Sequence, residues 1–285
     1  MGSNVSHLLC FGFGFSAQAV SRQLKREGWK ISATSRTPEG VAKIRAHGFE
    51  GHRFDAQLNI APDVTHLLIS APPDENGDLV LRLLSARLQR ASTQLKWVGY
   101  LSTTGVYGDK GGDWVDEDSP LEPKTLRGQR RLAAEREWLK FHGDFGLPVH
   151  LFRLAGIYGP GRNQLISVQE GKAKRIIKSG QIFSRIHVDD IAGVVLASIA
   201  KPNPGAAYNV CDDEPCPPQD VVAYAATLLG LPLPPEIPFE QAQLSPMAKS
   251  FYEDSKRVSN RRIKTELGYQ LKYKNYREGL NALKA

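Results

Sequence analysis

Two glycines and an alanine at a fixed spacing are the first residues in this chain that could do chemistry. CFGFGFSAQAV, residues 10–20, places Gly12, Gly14 and Ala17 directly after an apolar run and at the head of an amphipathic one. In the pattern G-x-G-x-x-A the first glycine permits a tight turn and the second lets a pyrophosphate approach the backbone. The small third residue lets helix and strand pack closely. The helix N-terminus at Phe15, Ser16 and Ala17 then faces the anion. Such a motif is weak by itself, and its place in the first strand–turn–helix unit is the context that confirms it.

The end of the next apolar run separates two nicotinamide cofactors. ATSRTPE, residues 33–39, puts Ser35, Arg36 and Thr37 where an acidic residue would hold a ribose 2′-hydroxyl, and no carboxylate occurs before Glu39. A guanidinium between two hydroxyls suits a 2′-phosphate, so NADP(H) is expected over NAD(H). The alternative is that Arg36 faces solvent. Asp55, in RFDAQ, is either an adenine contact or a surface carboxylate. Ala71 closes the run HLLISA and completes the residues expected along the cofactor.

A third stretch, KTLRGQRRLAAERE at residues 124–137, reads as the start of a basic helix. Arg127 and Arg131 stand four apart, one turn along the same face. It is either a solvated helix or an anion site. Guanidinium stays protonated, with a pKa above ~12, so neither arginine can serve as a general acid or base at neutral pH.

These residues need a frame, and the chain supplies one by alternation. HLLCFG, KISATS, HLLISA, KWVGYLST and VHLFRLAG read as strands. SAQAVSRQLKREG, EGVAKIRAHG, DLVLRLLSARLQ and the basic stretch read as the helices between them. Strands alternating with helices argue for βαβ units, an α/β fold with a doubly wound parallel sheet covered on both faces. Residues 1–161 are expected to form a dinucleotide-binding Rossmann domain. Residues 162–285 read as a mixed segment that partly returns to the sheet and builds a small C-terminal substrate lobe. Within it IFSRIHV and AAYNVCD are strands, DDIAGVVLASIA and PQDVVAYAATLLG are helices, and LPLPPEIPFEQ is a loop because proline removes backbone donors.

Composition narrows the remaining classes. A chain of 285 residues is ample for a large domain with a smaller lobe, and 41% apolar residues fit a soluble globular protein. No run approaches the ~20 apolar residues of a membrane helix. MGSNVS matches a minimal myristoylation pattern but reads as an ordinary initiator tail, and no secretory signal precedes the first strand. Cys10, Cys211 and Cys216 are too few and too scattered for a disulfide framework or a metal site, which leaves the cytoplasm as the default compartment. Residues 249–285 hold ten Lys/Arg against four Asp/Glu, most of the chain's net charge of +7. That end could meet nucleic acid or acidic lipid, line a pocket for an anionic substrate, or form a solvated surface, and the solvated surface is the preferred reading. No repeated basic motif with interleaved aromatics supports nucleic acid.

GFGFSA, LSTTGVYGD, FRLAGIYGPGR, SRIHVDDIAG and LGYQLKYKNYREGL, in that order, resemble the extended short-chain dehydrogenase/reductase superfamily, which contains nucleotide-sugar epimerases and dehydratases. The resemblance runs nearly the whole length. It implies a seven-stranded doubly wound sheet with a small substrate lobe, and a homodimer through helices that include 124–137. It puts on Thr103 the hydroxyl that hydrogen-bonds the reacting oxygen. Thr104 and Gly105 fall where dehydratase relatives carry acids, so 4,6-dehydration of a sugar is not expected, and Thr104 becomes a substrate contact. Tyr107 is either a substrate contact and substitute proton donor or a packed loop aromatic. Ser102 is read as structural. Aligning the family's Tyr-x-x-x-Lys puts Arg127 at the tyrosine and Arg131 at the lysine, so the resemblance implies that both point toward the cofactor cleft and favour anions, Arg127 as a substrate contact and Arg131 as a cofactor contact. Gly156 stands where a substrate-binding Asn is common. Phe183 stands where many relatives hold a substrate phosphate with a basic residue, and Arg185 follows two residues on. His187, Asp189 and Asp190 are read as structural, orienting a helix. The functional expectation is an NADP(H)-dependent atypical oxidoreductase or epimerase-type enzyme acting on a small, anionic substrate. The alternative is a non-catalytic NADP(H)-binding redox sensor or regulator.

Overall fold

The computed structural model describes residues 5–284, so the first four residues of the MGSNVS stretch lie outside the described residues. The chain forms two compact units, each assembled from three segments. The first comprises Met1–Thr103, Gln129–Arg153 and Ile191–Tyr208; the second comprises Thr104–Gly128, Leu154–Asp190 and Asn209–Ala285. A single cut at residue 161 follows the chain order, whereas these units follow which segments pack together.

The largest sheet is parallel, and all of it but Leu154, Asn209 and Val210 belongs to the first unit. Its strands are β1 (His7–Phe11), β2 (Lys30–Ser35), β3 (Glu50–Arg53), β4 (His66–Ile69), β5 (Trp97–Thr103), Val149–Leu154 and Ala207–Val210. Their order across the sheet is Ala207–Val210, Val149–Leu154, β5, β4, β1, β2, β3. The chain runs outward from β1 to β3, then returns to the other side of β1 as β4. Ligands of such sheets bind outside the carboxyl ends of the strands at this reversal, and Gly12 follows β1 there. Every residue of β1 and of β4 is buried, as expected of strands covered on both faces.

The covering helices have the apolar stripe that this burial requires. Helix α1 (Phe15–Arg26) buries Ala17, Val20 and Leu24, and α3 (Leu79–Ala91) buries Val80, Leu81, Leu84 and Leu88. These three- and four-residue steps place the buried side chains on one face. Asp78 caps α3, its Oδ1 accepting from the amides of Val80 at 2.9 Å and Leu81 at 3.0 Å. Helix α2 (Pro38–Ala46) starts with Pro at its first position and is capped by Thr37. Helix α4 (Leu126–Phe145) contains the basic stretch and buries Leu132, Ala134, Glu135 and Trp138.

The second unit has short parallel strand pairs and its own core. Arg185–His187 pairs with Gly156–Tyr158, and Arg257–Val258 pairs with Trp114–Val115. Leu165, Val168, Val222, Ala225, Tyr276 and Leu280 form its apolar cluster. LPLPPEIPFEQ departs from the expected loop: Glu236–Pro238 pairs with Arg175–Ile177. The prolines permit this because their carbonyls still accept, Pro235 O from the Arg175 amide at 3.0 Å and Pro234 O from Arg175 Nε at 2.8 Å. Asp190 ties down the closing segment by accepting from the Tyr269 hydroxyl and from the amides of Lys272 and Tyr273. Half of the ten cations of the basic end are paired locally. Lys256, Arg262, Lys264, Lys272 and Arg277 each pair with a carboxylate of this unit.

Candidate functional site

The glycine turn behaves differently at its two glycines. Gly12 has φ +83°, and a Cβ there would lie 3.0 Å from the Ala71 amide nitrogen. The protein's own backbone therefore requires glycine at 12. The Gly12 amide donates to Thr34 Oγ1 at 3.2 Å, and the Ala71 amide donates to Phe11 O at 2.9 Å, which closes the turn against β4. Gly14 has φ −79°, open to any residue, and a Cβ there would meet nothing nearer than Ser70 Oγ at 3.9 Å. Nothing in the fold itself demands glycine at 14. Gly14 caps α1 without a side-chain hydrogen bond, and the first turn carries no acidic side chain. The first amides of a helix lack intrahelical acceptors, so this exposed end is suited to an anion.

Past β2, Arg36 is exposed and makes no ion pair among the described residues. Ser35 and Thr37 flank it, but both hydroxyls have local work. Thr37 Oγ1 accepts from the Gly40 amide at 3.1 Å, and Ser35 Oγ accepts from the Thr37 amide at 3.3 Å. Asp55 is exposed, with Oδ1 accepting from the Gln57 amide at 2.9 Å. Phe15 is half-buried; Ser16 and Ala17 are buried. All of these residues belong to the first unit.

Arg127 and Arg131 share α4 but meet different partners. Arg131 is half-buried, and its Nη1 donates to Leu101 O at 2.7 Å and to the Tyr100 hydroxyl at 3.2 Å. Arg127 is exposed, with its guanidinium 4.9 Å from the centre of the Phe251 ring. Arg131 is held by the end of β5, where a strand carbonyl and a buried phenol offer acceptors, and Arg127 lies against an exposed ring. Thr103, half-buried, is the last residue of β5, and Thr104 opens the 3₁₀ turn Thr104–Tyr107. Beside Arg131 lies a buried network. Ser102 Oγ donates to Glu135 Oε1 at 2.5 Å, and Arg153 Nη2 donates to Glu135 Oε2 at 3.0 Å. It joins β5, α4 and Val149–Leu154 and fixes the strand end that carries Thr103.

In the second unit Tyr107 takes the packed role. It has no exposed surface, and its hydroxyl donates to Asn209 Oδ1 at 2.7 Å. A phenol so enclosed cannot reach a substrate, so Tyr107 is withdrawn as a proton donor. Arg185 Nη1 donates to Phe183 O at 3.0 Å and to Cys216 Sγ at 3.1 Å. Gly156 keeps the two strands close, since a Cβ there would lie 3.3 Å from Ser184 O. His187 Nδ1 accepts from the Asp189 amide at 3.1 Å, and burial pushes its imidazole down to about 4. A histidine neutral across physiological pH agrees with the structural reading. The three cysteines are buried free thiols, and no group of three metal-ligating side chains exists among the described residues. No helix among them is long and apolar enough to cross a membrane.

A model of the NAD dependent epimerase/dehydratase family matches residues 11–211, from the end of β1 to Cys211. The chain belongs to that family. A solved structure of a conserved protein of unknown function from Silicibacter pomeroyi DSS is 55% identical, with TM-score 0.92 and 98% of each chain covered. Protein YeeZ of Escherichia coli K12 is 28% identical over 277 residues, 92% of this chain and 94% of that one. The fold is also that of dTDP-glucose 4,6-dehydratase from Bacillus anthracis, solved in complex with NAD. That structure has TM-score 0.79 and 20% identity, covering 98% of this chain and 95% of the other.

Within this epimerase/dehydratase-family chain, the network at Glu135 is what the motifs left out. The Ser102 hydroxyl bonds a buried carboxylate that no motif announces. The available signal was Glu135 and Arg153 standing among apolar neighbours in LAAEREW and VHLFRLA. Charges in such runs need a partner.

Proposed function

We propose that this chain binds NADP(H) on its first unit and uses it in an oxidoreductase or epimerase-type reaction on a small, anionic substrate. The observation that carries this reading is Arg36, exposed just past β2 and without a carboxylate partner among the described residues. The turn fits the cofactor as well. Gly14 leaves room that no protein atom needs, at a helix end without negative charge. Bound there, the nicotinamide supplies or accepts a hydride.

The chain's own residues then divide the remaining tasks. The backbone at Gly12, Gly14 and Phe15–Ala17 would receive the pyrophosphate. Ser35, Arg36 and Thr37 would hold the 2′-phosphate, with Asp55 and Ala71 along the adenosine. Arg131 commits one guanidinium nitrogen to Leu101 O and Tyr100. A guanidinium has five N–H donors, so others can serve the ribose. Thr103 would orient the reacting oxygen, and Thr104, Arg127 and Arg185 would contact the substrate. Neither arginine moves a proton, and Tyr107 is enclosed. The proton comes from a water held by Thr103 or from the substrate itself.

Turnover tests this. Purified protein with NADPH and a panel of small carbonyl compounds should oxidise the cofactor. Thr103→Ala should lower kcat/KM on the order of a hundredfold, as loss of a donor to a reacting oxygen does. Tyr107→Phe should leave kcat/KM unchanged. A Thr103→Ala variant of full activity removes that assignment. Arginine at both 127 and 131, neither able to exchange a proton near neutral pH, favours a second reading: a non-catalytic NADP(H) sensor. Tight cofactor binding with no oxidation under any carbonyl would select it.

A further inference from the structure

The second unit carries a set of rings and cations that the cofactor does not use. Tyr252 packs against Phe183 at 5.3 Å, edge to face, and against Phe239 at 5.2 Å. Its chain neighbour Phe251 is 46% exposed, and the Arg127 guanidinium lies over that ring at 4.9 Å. The Lys178 ammonium lies 5.2 Å from the centre of the Phe239 ring. Arg185, two residues after Phe183, makes no ion pair among the described residues. Cations and ring faces thus come together in one region contributed by residues 127, 178–185 and 239–252.

Two physical points narrow what fits. An exposed phenylalanine leaves apolar surface in water that a bound ring would cover. Cations over ring faces are attracted by the ring quadrupole and still carry full charge toward an anion. Three of the neutral polar groups nearby are already committed to backbone. Gln181 Nε2 donates to Asp254 O, Ser255 Oγ donates to Gly180 O, and Ser184 Oγ accepts from the Val258 amide. Gln181 Oε1 is buried with no hydrogen-bond partner among the described residues. A sugar needs many such groups, because each hydroxyl left without a partner costs affinity.

We infer that the second unit takes a flat aromatic carboxylate, its ring against Phe251 and the Phe183–Tyr252–Phe239 set, its charge among Arg127, Lys178 and Arg185. This deepens the reading above that the substrate is small and anionic, and rests on it.

The test is calorimetric titration of cinnamate into the full chain, free and with saturating NADPH. Cyclohexanecarboxylate, cinnamyl alcohol and UDP-glucose serve as comparators. Cinnamate should bind about tenfold or more tightly than the non-planar acid and the neutral alcohol. Phe251→Ala should weaken it about fivefold to tenfold, and Phe251→Leu, which keeps apolar volume without a ring, should do the same. Thermal melting confirms that both variants are folded. Absence of cinnamate binding, equal binding of cyclohexanecarboxylate, or displacement by more tightly held UDP-glucose overturns the inference. Cinnamate binding without NADPH binding overturns the cofactor reading alone. NADPH binding without cinnamate binding overturns the substrate class alone.

Discussion

Arg153 and Glu135 form an ion pair almost without access to water, Nη2 to Oε2 at 3.0 Å, with side chains 6% and 2% exposed. Ser102 adds its hydroxyl to the same carboxylate at 2.5 Å. Removing one partner strands a buried charge. Glu135→Leu or Arg153→Met alone should cost about 3–5 kcal/mol, and the two together much less. Urea unfolding of the three variants measures this. A double variant as unstable as the sum of the singles would show that the two charges are not energetically coupled.

The two glycines of the turn should separate stability from binding. Gly12→Ala forces a side chain into a left-handed conformation and against the Ala71 amide at 3.0 Å. It should destabilise by about 1–3 kcal/mol. Gly14→Ala has room for its methyl in the protein itself, so its melting temperature should stay near wild type while NADPH affinity falls. Unchanged NADPH affinity in Gly14→Ala would remove the pyrophosphate from that turn.

Part of this was legible in the sequence because it is local. Gly12, Gly14, Ala17 and Arg36 sit within one strand–turn–helix unit and the strand after it, where spacing alone fixes their neighbours. The roles that escaped depend on partners far along the chain. Tyr107 bonds Asn209, 102 positions away, and nothing in VYG distinguishes a packed phenol from an exposed one. Glu135 finds Arg153 across a helix–strand contact. The LPLPPEIPFEQ segment was read from its missing donors, while its pairing uses the carbonyls that proline keeps. Arg127 and Arg131 were placed correctly on one helix, but their side chains follow the nearest acceptor and the nearest ring.

Asp212 gives a pH signature. It is 1% exposed, and burial, its largest influence, pushes its carboxyl up to about 8 against the pull of Arg185, while Asp213 and Glu214 add to the rise. The folded state therefore keeps a proton that the unfolded chain, with an ordinary value of 3.8, has released. This group's contribution to stability falls as pH rises between those two values. Asp212→Asn stays neutral throughout. Its unfolding free energy relative to wild type should grow from pH 4 to pH 9. Parallel pH profiles for the two proteins would show that Asp212 ionises normally in the fold.

The preference for NADP(H) rests most directly on Arg36. Dissociation constants of NADPH and NADH should be measured by fluorescence titration for the wild type and for Arg36→Ala. A charge-assisted contact to the 2′-phosphate is worth about 1.5–3 kcal/mol, or roughly tenfold to a hundredfold in affinity. The wild type should prefer NADPH by about that ratio. Arg36→Ala should bring the ratio close to one by weakening NADPH and leaving NADH unchanged. A wild type that prefers NADH, or an Arg36→Ala variant with the same NADPH-to-NADH ratio, would contradict the account.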